Sequence, residues 1–431
     1  MTDSVTVLGL GYVGLPTACL LATAGFDVRG VDIDPVLVQE LNAGRTALSE
    51  LGVKSLLAEA MASGNFVADT IVGPSDAYFI CVPTPLRLPG HKPDLCHVRK
   101  ATLSIMPHIQ KGNLIILEST SPVGTTRDIV GDVVRSHGFD AEEDVDICYC
   151  PERVMPGNTV TEIVSNDRII GGLTRRAAGR AKDMYKTFCH GRLHTTNAEV
   201  AEFCKLMENT YRDVNIALAN SFARMGEQAG IDVWKAINMA NLHPRVDILN
   251  PGSGVGGHCI PVDPWFLVDR FGEASTLLRA AREINDAQPK LMLDRAMAAG
   301  LRRGGRIAVL GVAYRADIDD ARESPTFKLL RAAVGANLTW RSHDPFVKAA
   351  NGYNGLDLNL NNDLDWVLDG ADAAFVMTDH VSYKTLSPIH FNRMAGRLIS
   401  DGRNILNHLA FSAAGFEILV LGNGTGGAGN P

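Results

Sequence analysis

Near its start the chain carries "SVTVLGLGYVGLP" (residues 4–16), an apolar run in which Gly9, Gly11 and Gly14 stand in G-x-G-x-x-G spacing. Each glycine costs roughly 0.5–1 kcal/mol of backbone entropy relative to alanine in ordered structure, so three in six positions need a reason. Between a strand and a helix this spacing forms the first turn of a βαβ unit. Gly9 makes the tight turn, Gly11 lets phosphates approach the backbone, and Gly14 lets helix and strand pack closely. The context fits. "SVTVLGLG" reads as a strand, "PTACLLATAG" as a helix, and "FDVRGVDID" as a second strand ending at Asp32. A carboxylate there holds ribose hydroxyls and repels a 2′-phosphate, which favours NAD over NADP. Tyr12 and Val13 lie among the glycines, where a helix N-terminus offers bare N–H groups to the phosphates.

The alternation continues with "DAYFICVPT" and "GNLIILEST", then restarts near residue 306 with "GRIAVLGVAY", "SPTFKLLRAAVGA", "NLTWRSHDP" and "ADAAFVMTDH". The second part echoes the first, and Asp344 ends its second strand as Asp32 does. The fold class is therefore α/β: two doubly wound Rossmann-like domains, the second without the full glycine signature. Between them, Ala198 to Gly230 contains no proline and reads as one helix about 45–50 Å long. That exceeds a small domain's width, so the helix is expected to join the domains and to pack on a second subunit. Pro289 is expected to break a later helix. The expected domains are 1–197, binding NAD; 198–300, central and helical; 301–421, the second Rossmann-like domain; and 422–431, a disordered tail.

Composition narrows the function. At 431 residues, with net charge −7 and 46% hydrophobic residues, the chain suits a multidomain globular protein whose main partner is neither nucleic acid nor membrane. No stretch reads as a transmembrane helix and no signal peptide opens the chain, so a cytoplasmic protein is expected. The eight cysteines then read as thiols; none forms a C-x-x-C pair, and no metal is expected.

Cys259 stands out among them. It follows "PGSGVGG", in which Gly252, Gly254, Gly256 and Gly257 crowd into six positions. One reading is an ordinary turn. The other is that a ligand lies flat against the backbone beside a reactive thiol, with a helix starting near Asp263 to favour the thiolate. His258 adjoins Cys259 but is a poor partner base, because sequence neighbours point to opposite sides in most geometries. "VPTP" and "STSPVG" place Thr84 and Thr120 after later strands, where a nicotinamide site opens. Lys205 and Asn209 share a helix face, either a solvated one or part of the site. Glu152 in "CPERVMPGN" opens a loop from which a carboxylate serves a water as acid or base. NAD and a thiol together suggest oxidation at the aldehyde level.

"GLGYVGLP", "STSPVGTT", "AEFCKLMENT", "GVGGHC", "DDARESP" and "SDGRN" occur here in one order. In these motifs the chain resembles the UDP-glucose/GDP-mannose dehydrogenase family over all but its tail. The resemblance implies a four-electron oxidation of a UDP-sugar's C6 hydroxyl to a carboxylate with two NAD, in a homodimer. It makes Cys259 the nucleophile, with Lys205 and Asn209 near the reacting oxygen, Asp263 assisting a water that Thr120 orients, and Glu152 serving hydrolysis. It makes Arg322 a cofactor contact. Arg153, Val154, Gly256, Gly257, Arg245, Arg315 and Arg403 become sugar-nucleotide contacts, Arg245 across the dimer. "CPERVMPGN" and "HPRVDILNPGSGVGGHCIPVDPWF" look most like the branch acting on UDP-N-acetyl-D-mannosamine; UDP-N-acetylglucosamine and UDP-glucose are the alternatives. The chain departs from the pattern in three places, the first being Leu51, which stands after "SE" where a proline is common. Pro156 stands where many relatives carry a second glutamate, and Arg315 where lysine is usual.

Overall fold

The computed structural model describes residues 4–48, 50–87, 89–154, 157–348 and 356–424. They divide into two compact units, one holding the chain up to Glu208 together with Trp265–Gly272, the other Asn209–Pro264 and the chain from Glu273 onward. The division between Glu208 and Asn209 falls inside the helix Ala198–Ala229, whose 32 residues span about 48 Å at 1.5 Å per residue.

The first unit is built on an eight-stranded sheet. Its strands are β1 (Ser4–Leu8), β2 (Asp27–Val31), β3 (Phe66–Asp69), β4 (Ala77–Ile80), β7 (Leu114–Leu117), β8 (Asp146–Tyr149), β9 (Arg168–Gly172) and β10 (Leu193–Asn197). A small antiparallel hairpin of β5 (Leu86–Arg87) and β6 (Lys92–Pro93) stands apart from it. The sheet order is β10-β9-β8-β7-β4-β1-β2-β3, parallel throughout except where β9 runs antiparallel to β8. Strands such as "AYFI" and "LIIL" are apolar at every position because helices cover both faces. Two clusters form the core, one around Leu15, Phe79 and Ile116, the other around Tyr78, Ile115 and Ile147.

The second unit repeats the plan with β11 (Arg306–Leu310), β12 (Thr339–His343), β13 (Leu360–Asn361), β14 (Ala373–Val376), β15 (Leu398–Asp401) and β16 (Glu417–Val420), in the order β13-β12-β11-β14-β15-β16. In each sheet the first strand of the unit sits between its second and fourth. Each sheet thus contains the 3-2-1-4-5-6 order of a dinucleotide-binding fold, as the alternating sequence predicts.

One expectation fails. Pro289 does not break its helix, which runs unbroken from Thr276 to Ala298 with the proline inside. Proline removes one intrahelical hydrogen bond and crowds the carbonyl of residue 285. Burial of Asn285, Gln288, Pro289, Met292 and Leu293 on one face holds the helix together across that defect. The packed chain also runs past the expected boundary at 421: the Gly422 amide donates to Glu227 (2.9 Å), and its carbonyl accepts from Val233 N (2.7 Å). The rest of the expected tail, from 425 on, lies outside the described residues.

Candidate functional site

The glycine turn after β1 is built as its spacing requires. Gly9 has φ +91°, and a Cβ there would sit 2.8 Å from the Cys81 carbonyl oxygen. A Cβ on Gly14 would lie 1.8 Å from Gly9 O, so any side chain there would drive the helix Gly14–Thr23 off the turn. Gly11 differs: nothing lies within 4 Å of its Cβ position. The side of the turn that a pyrophosphate needs is open. Asp32 follows β2, and its carboxylate accepts from the amides of Leu10 (2.9 Å) and Asp34 (3.0 Å), which fixes it at the lip of the same turn. Tyr12 and Val13 are half-buried beside it. These residues fit a dinucleotide with free ribose hydroxyls. Asp344 occupies the equivalent place in the second unit, but its carboxylate accepts from Val312, Ala313, Phe346 and Val347 amides and from His380, and is fully buried. Its hydrogen-bonding capacity is spent inside the protein.

At the C-terminal ends of β4 and β7 the two threonine loops meet. Thr84 Oγ1 donates to Thr120 O (2.6 Å), and Ser119 Oγ donates to Val82 O (2.7 Å). Glu152 follows β8. Burial, opposed by Lys205 and Arg168, pushes its carboxyl up to about 7. Val154 N donates to the same carboxylate in a very short contact. Lys205 is buried on the long helix. The first unit thus brings Thr84 and Thr120 together, and sets Lys205 within electrostatic reach of Glu152. Arg153 instead pairs with Glu208 (2.7 Å) and donates to Asp167 O. Pro156 lies outside the described residues.

In the second unit, Asn209 Nδ2 donates to Asp263 Oδ2 at 2.5 Å. Asp263 is buried and begins a helix, and its amide donates to Cys259 O (2.8 Å). The Cys259 backbone, the acid and the amide side chain therefore lie together. His258 is exposed.

The glycines before Cys259 have a reason that sequence alone did not suggest. Close packing within the protein itself demands glycine at two of them. A Cβ at Gly256 would meet Tyr314 Cβ at 2.6 Å and Glu323 O at 2.9 Å, and one at Gly257 (φ +94°) would meet the Tyr314 ring at 3.0 Å. The loop is also pinned from below. Gly252 N donates to Asn220 Oδ1 (2.9 Å), Asn220 Nδ2 to Asn285 Oδ1 (2.9 Å), and Asn285 Nδ2 to Asp213 Oδ1 (2.8 Å). Asp213 in turn binds the fully buried Arg282 at 2.6 Å. None of these polar residues was singled out from sequence. Their only signal is polar side chains on the inward face of two long helices.

The arginines are dispersed. Arg403 pairs with Asp379 (2.8 Å) beside Gly252. Arg322, expected at the cofactor, makes a salt bridge with Asp320 in its own loop (2.6 Å), and its carbonyl accepts from Gly257 N. Arg245 and Arg315 are exposed.

Comparison with known sequences identifies the family. The NAD binding domain of the UDP-glucose/GDP-mannose dehydrogenase family matches residues 3–189, its central domain residues 199–287, and its UDP binding domain residues 308–408. The chain belongs to the UDP-glucose/GDP-mannose dehydrogenase family. As a family member it is an NAD-dependent nucleotide-sugar dehydrogenase, as its motifs imply. It is 41% identical over 426 residues to the UDP-N-acetyl-D-mannosamine dehydrogenase of Methanocaldococcus jannaschii, covering 97% of this chain and 96% of that one. It is 41% identical over 414 residues to an NDP-N-acetyl-D-galactosaminuronic acid dehydrogenase of Ralstonia nicotianae, covering 93% and 96%. The solved UDP-D-ManNAc dehydrogenase of Pyrococcus horikoshii superposes with TM-score 0.89 at 38% identity, over 98% of this chain and 99% of that one.

Proposed function

We propose that the chain oxidises the C6 hydroxyl of UDP-N-acetyl-D-mannosamine to the carboxylate, using Cys259 as the covalent nucleophile. The observation that carries this reading is the cluster of Cys259, Asp263 and Asn209 in one unit, on a chain alike over its whole length to relatives bearing that name. Bound NAD supplies the hydride acceptor, twice per sugar. The turn at Gly9–Gly14 and Asp32 hold and orient it. The alcohol loses a hydride and a proton to give an aldehyde, and Lys205 and Asn209 steady the oxygen as its charge changes. The Cys259 thiolate adds to the aldehyde carbon, and loss of a second hydride leaves a thioester on sulfur. Water attacks that carbonyl, the C–S bond breaks, and the carboxylate and the thiol are released. Glu152 takes the proton of the water, with Thr120 orienting it and Asp263 assisting. Arg245, Arg315 and Arg403, with Arg153, Val154, Gly256 and Gly257, hold the nucleotide sugar, and Arg322 contacts the cofactor.

The active form is a homodimer. The long helix exposes Val200, Phe203, Met207, Tyr211, Leu218 and Met225 at three-, four- and seven-residue steps, a stripe that a second copy would cover. The enzyme works in the cytoplasm, where its eight cysteines, none of them in a disulfide, stay reduced. Among the described residues no helix is long and apolar enough to cross a membrane.

A panel of UDP-N-acetylmannosamine, UDP-N-acetylgalactosamine, UDP-N-acetylglucosamine and UDP-glucose, with NADH and product measured, tests the reading. The first should give the highest kcat/KM and about two NADH per sugar. Preference for any of the others would overturn the choice of sugar, and one NADH per sugar with aldehyde released would overturn the thioester.

A further inference from the structure

The helix that carries Lys205 also carries Glu202, one turn earlier, and Glu202 has no part in the chemistry above. It is fully buried. Its two oxygens are taken by three donors of one loop. Gly124 N donates to Oε2 at 2.6 Å; Thr126 N and Thr126 Oγ1 donate to Oε1 at 2.8 and 2.6 Å. That loop is "STSPVGTT", which carries Thr120.

The other end of the loop is fastened elsewhere. Glu118 N and Ser119 N donate to Ile80 O, Ser119 Oγ to Val82 O, and Thr84 Oγ1 to Thr120 O. The sheet therefore holds one end of the loop and Glu202 holds the tip. The helix itself is fixed to the sheet: a Cβ on Gly171 of β9 would lie 2.5 Å from Asn197 O and 2.7 Å from Ala201 Cβ, so helix and strand are in direct contact there. Glu202 is the link between a loop and a helix that each present a residue to the reaction.

We infer that Glu202 is a positioning residue: as a buried carboxylate it sets the distance between Thr120 and Lys205, and so between the groups that hold the reacting oxygen and the water. The inference rests on the roles proposed above for those two residues. Charge and shape are both required. An aspartate is one methylene shorter and does not reach. Glutamine has the right length, but its NH₂ must face either Gly124 N–H or Thr126 N–H, and a backbone N–H has nothing to accept with. One buried amide then loses its acceptor, and the loop moves to find another.

A loop misplaced by about 1 Å costs on the order of 100-fold in rate when its residues position reacting groups. The experiment uses the full chain with Glu202→Gln and Thr126→Val, the second removing only the hydroxyl donor. For each, thermal unfolding, NAD affinity by fluorescence titration, kcat, both KM values and the deuterium isotope effect with 6,6-dideuterated UDP-sugar are measured. Folded Glu202→Gln should bind NAD within about 3-fold of wild type while kcat falls 10- to 100-fold, with a larger isotope effect because hydride transfer becomes limiting. Thr126→Val should show the same split to a lesser degree, and carries the test if Glu202→Gln does not fold. An active wild type whose folded variants keep kcat within about 3-fold, or lose kcat and NAD affinity together with an unchanged isotope effect, overturns this inference alone. A wild type that forms no NADH with any UDP-sugar overturns the functional reading and this inference with it.

Discussion

Glu152 offers the sharpest test of the hydrolytic half-reaction. Burial raises its carboxyl from the ordinary 4.5 to about 7, and Lys205 and Arg168 only partly oppose the shift. A base must be ionised to take a proton from water. With a value near 7, roughly half of the molecules are ready at pH 7, about one in eleven at pH 6 and about ten in eleven at pH 8. An ordinary glutamate would be almost fully ionised at all three. Thioester hydrolysis should therefore slow about five-fold between pH 7 and pH 6. Rapid mixing with UDP-sugar aldehyde and NAD separates the steps: a burst of NADH reports thioester formation, and the steady rate reports hydrolysis. In wild type the steady rate should climb with a midpoint near pH 7. Glu152→Gln should keep a burst of about one NADH per site and lose both the steady rate and its midpoint. A flat profile from pH 5.5 to 8.5, or an unchanged midpoint in the variant, would refute the assignment. The same shift acts on stability in a definite direction. The folded state holds this proton more tightly than the unfolded state. The contribution is therefore complete below about 4.5 and lost as pH rises through 7.

Other outcomes follow from the same geometry. Cys259→Ser should bind NAD and sugar normally but oxidise added aldehyde very poorly, because a serine hydroxyl is far less readily ionised at neutral pH; near-normal turnover would reduce Cys259 to a packing role. Asp32→Asn removes the charge that repels a 2′-phosphate, so the ratio of kcat/KM for NAD over NADP should fall about ten-fold or more; an unchanged ratio would show that Asp32 does not face the ribose. Asp213→Ala leaves the fully buried Arg282 with Asp286 as its one ion-pair partner among the described residues. It should cost about 3 kcal/mol and lower the melting point of that unit by roughly 10 °C in calorimetry; a drop under about 2 °C would mean that solvent reaches the pair.

Much of this protein is legible in its sequence because the signals are local. The glycine spacing after "SVTVL", Asp32 at the end of the next strand, and the repeat of the pattern from residue 306 depend on neighbours a few residues away. They specified both doubly wound sheets and the fit to NAD. The proline-free run from Ala198 announced the long helix to within a residue. Motif resemblance singled out Thr120, Lys205, Asn209, Cys259 and Asp263 as candidates, and a position just after a strand singled out Thr84. What sequence could not supply depends on partners far along the chain. Glu202 meets its loop across 78 residues, and Arg282 meets Asp213 across 69. The helix around Pro289 survives because its buried face outweighs one missing hydrogen bond. Gly256 and Gly257 pack against Tyr314, nearly sixty residues on. Glu152 holds its proton near neutral pH only because folding buries it. Local propensity is written residue by residue, whereas desolvation and close approach belong to whichever distant surfaces the fold presses together, and only the tertiary structure names them.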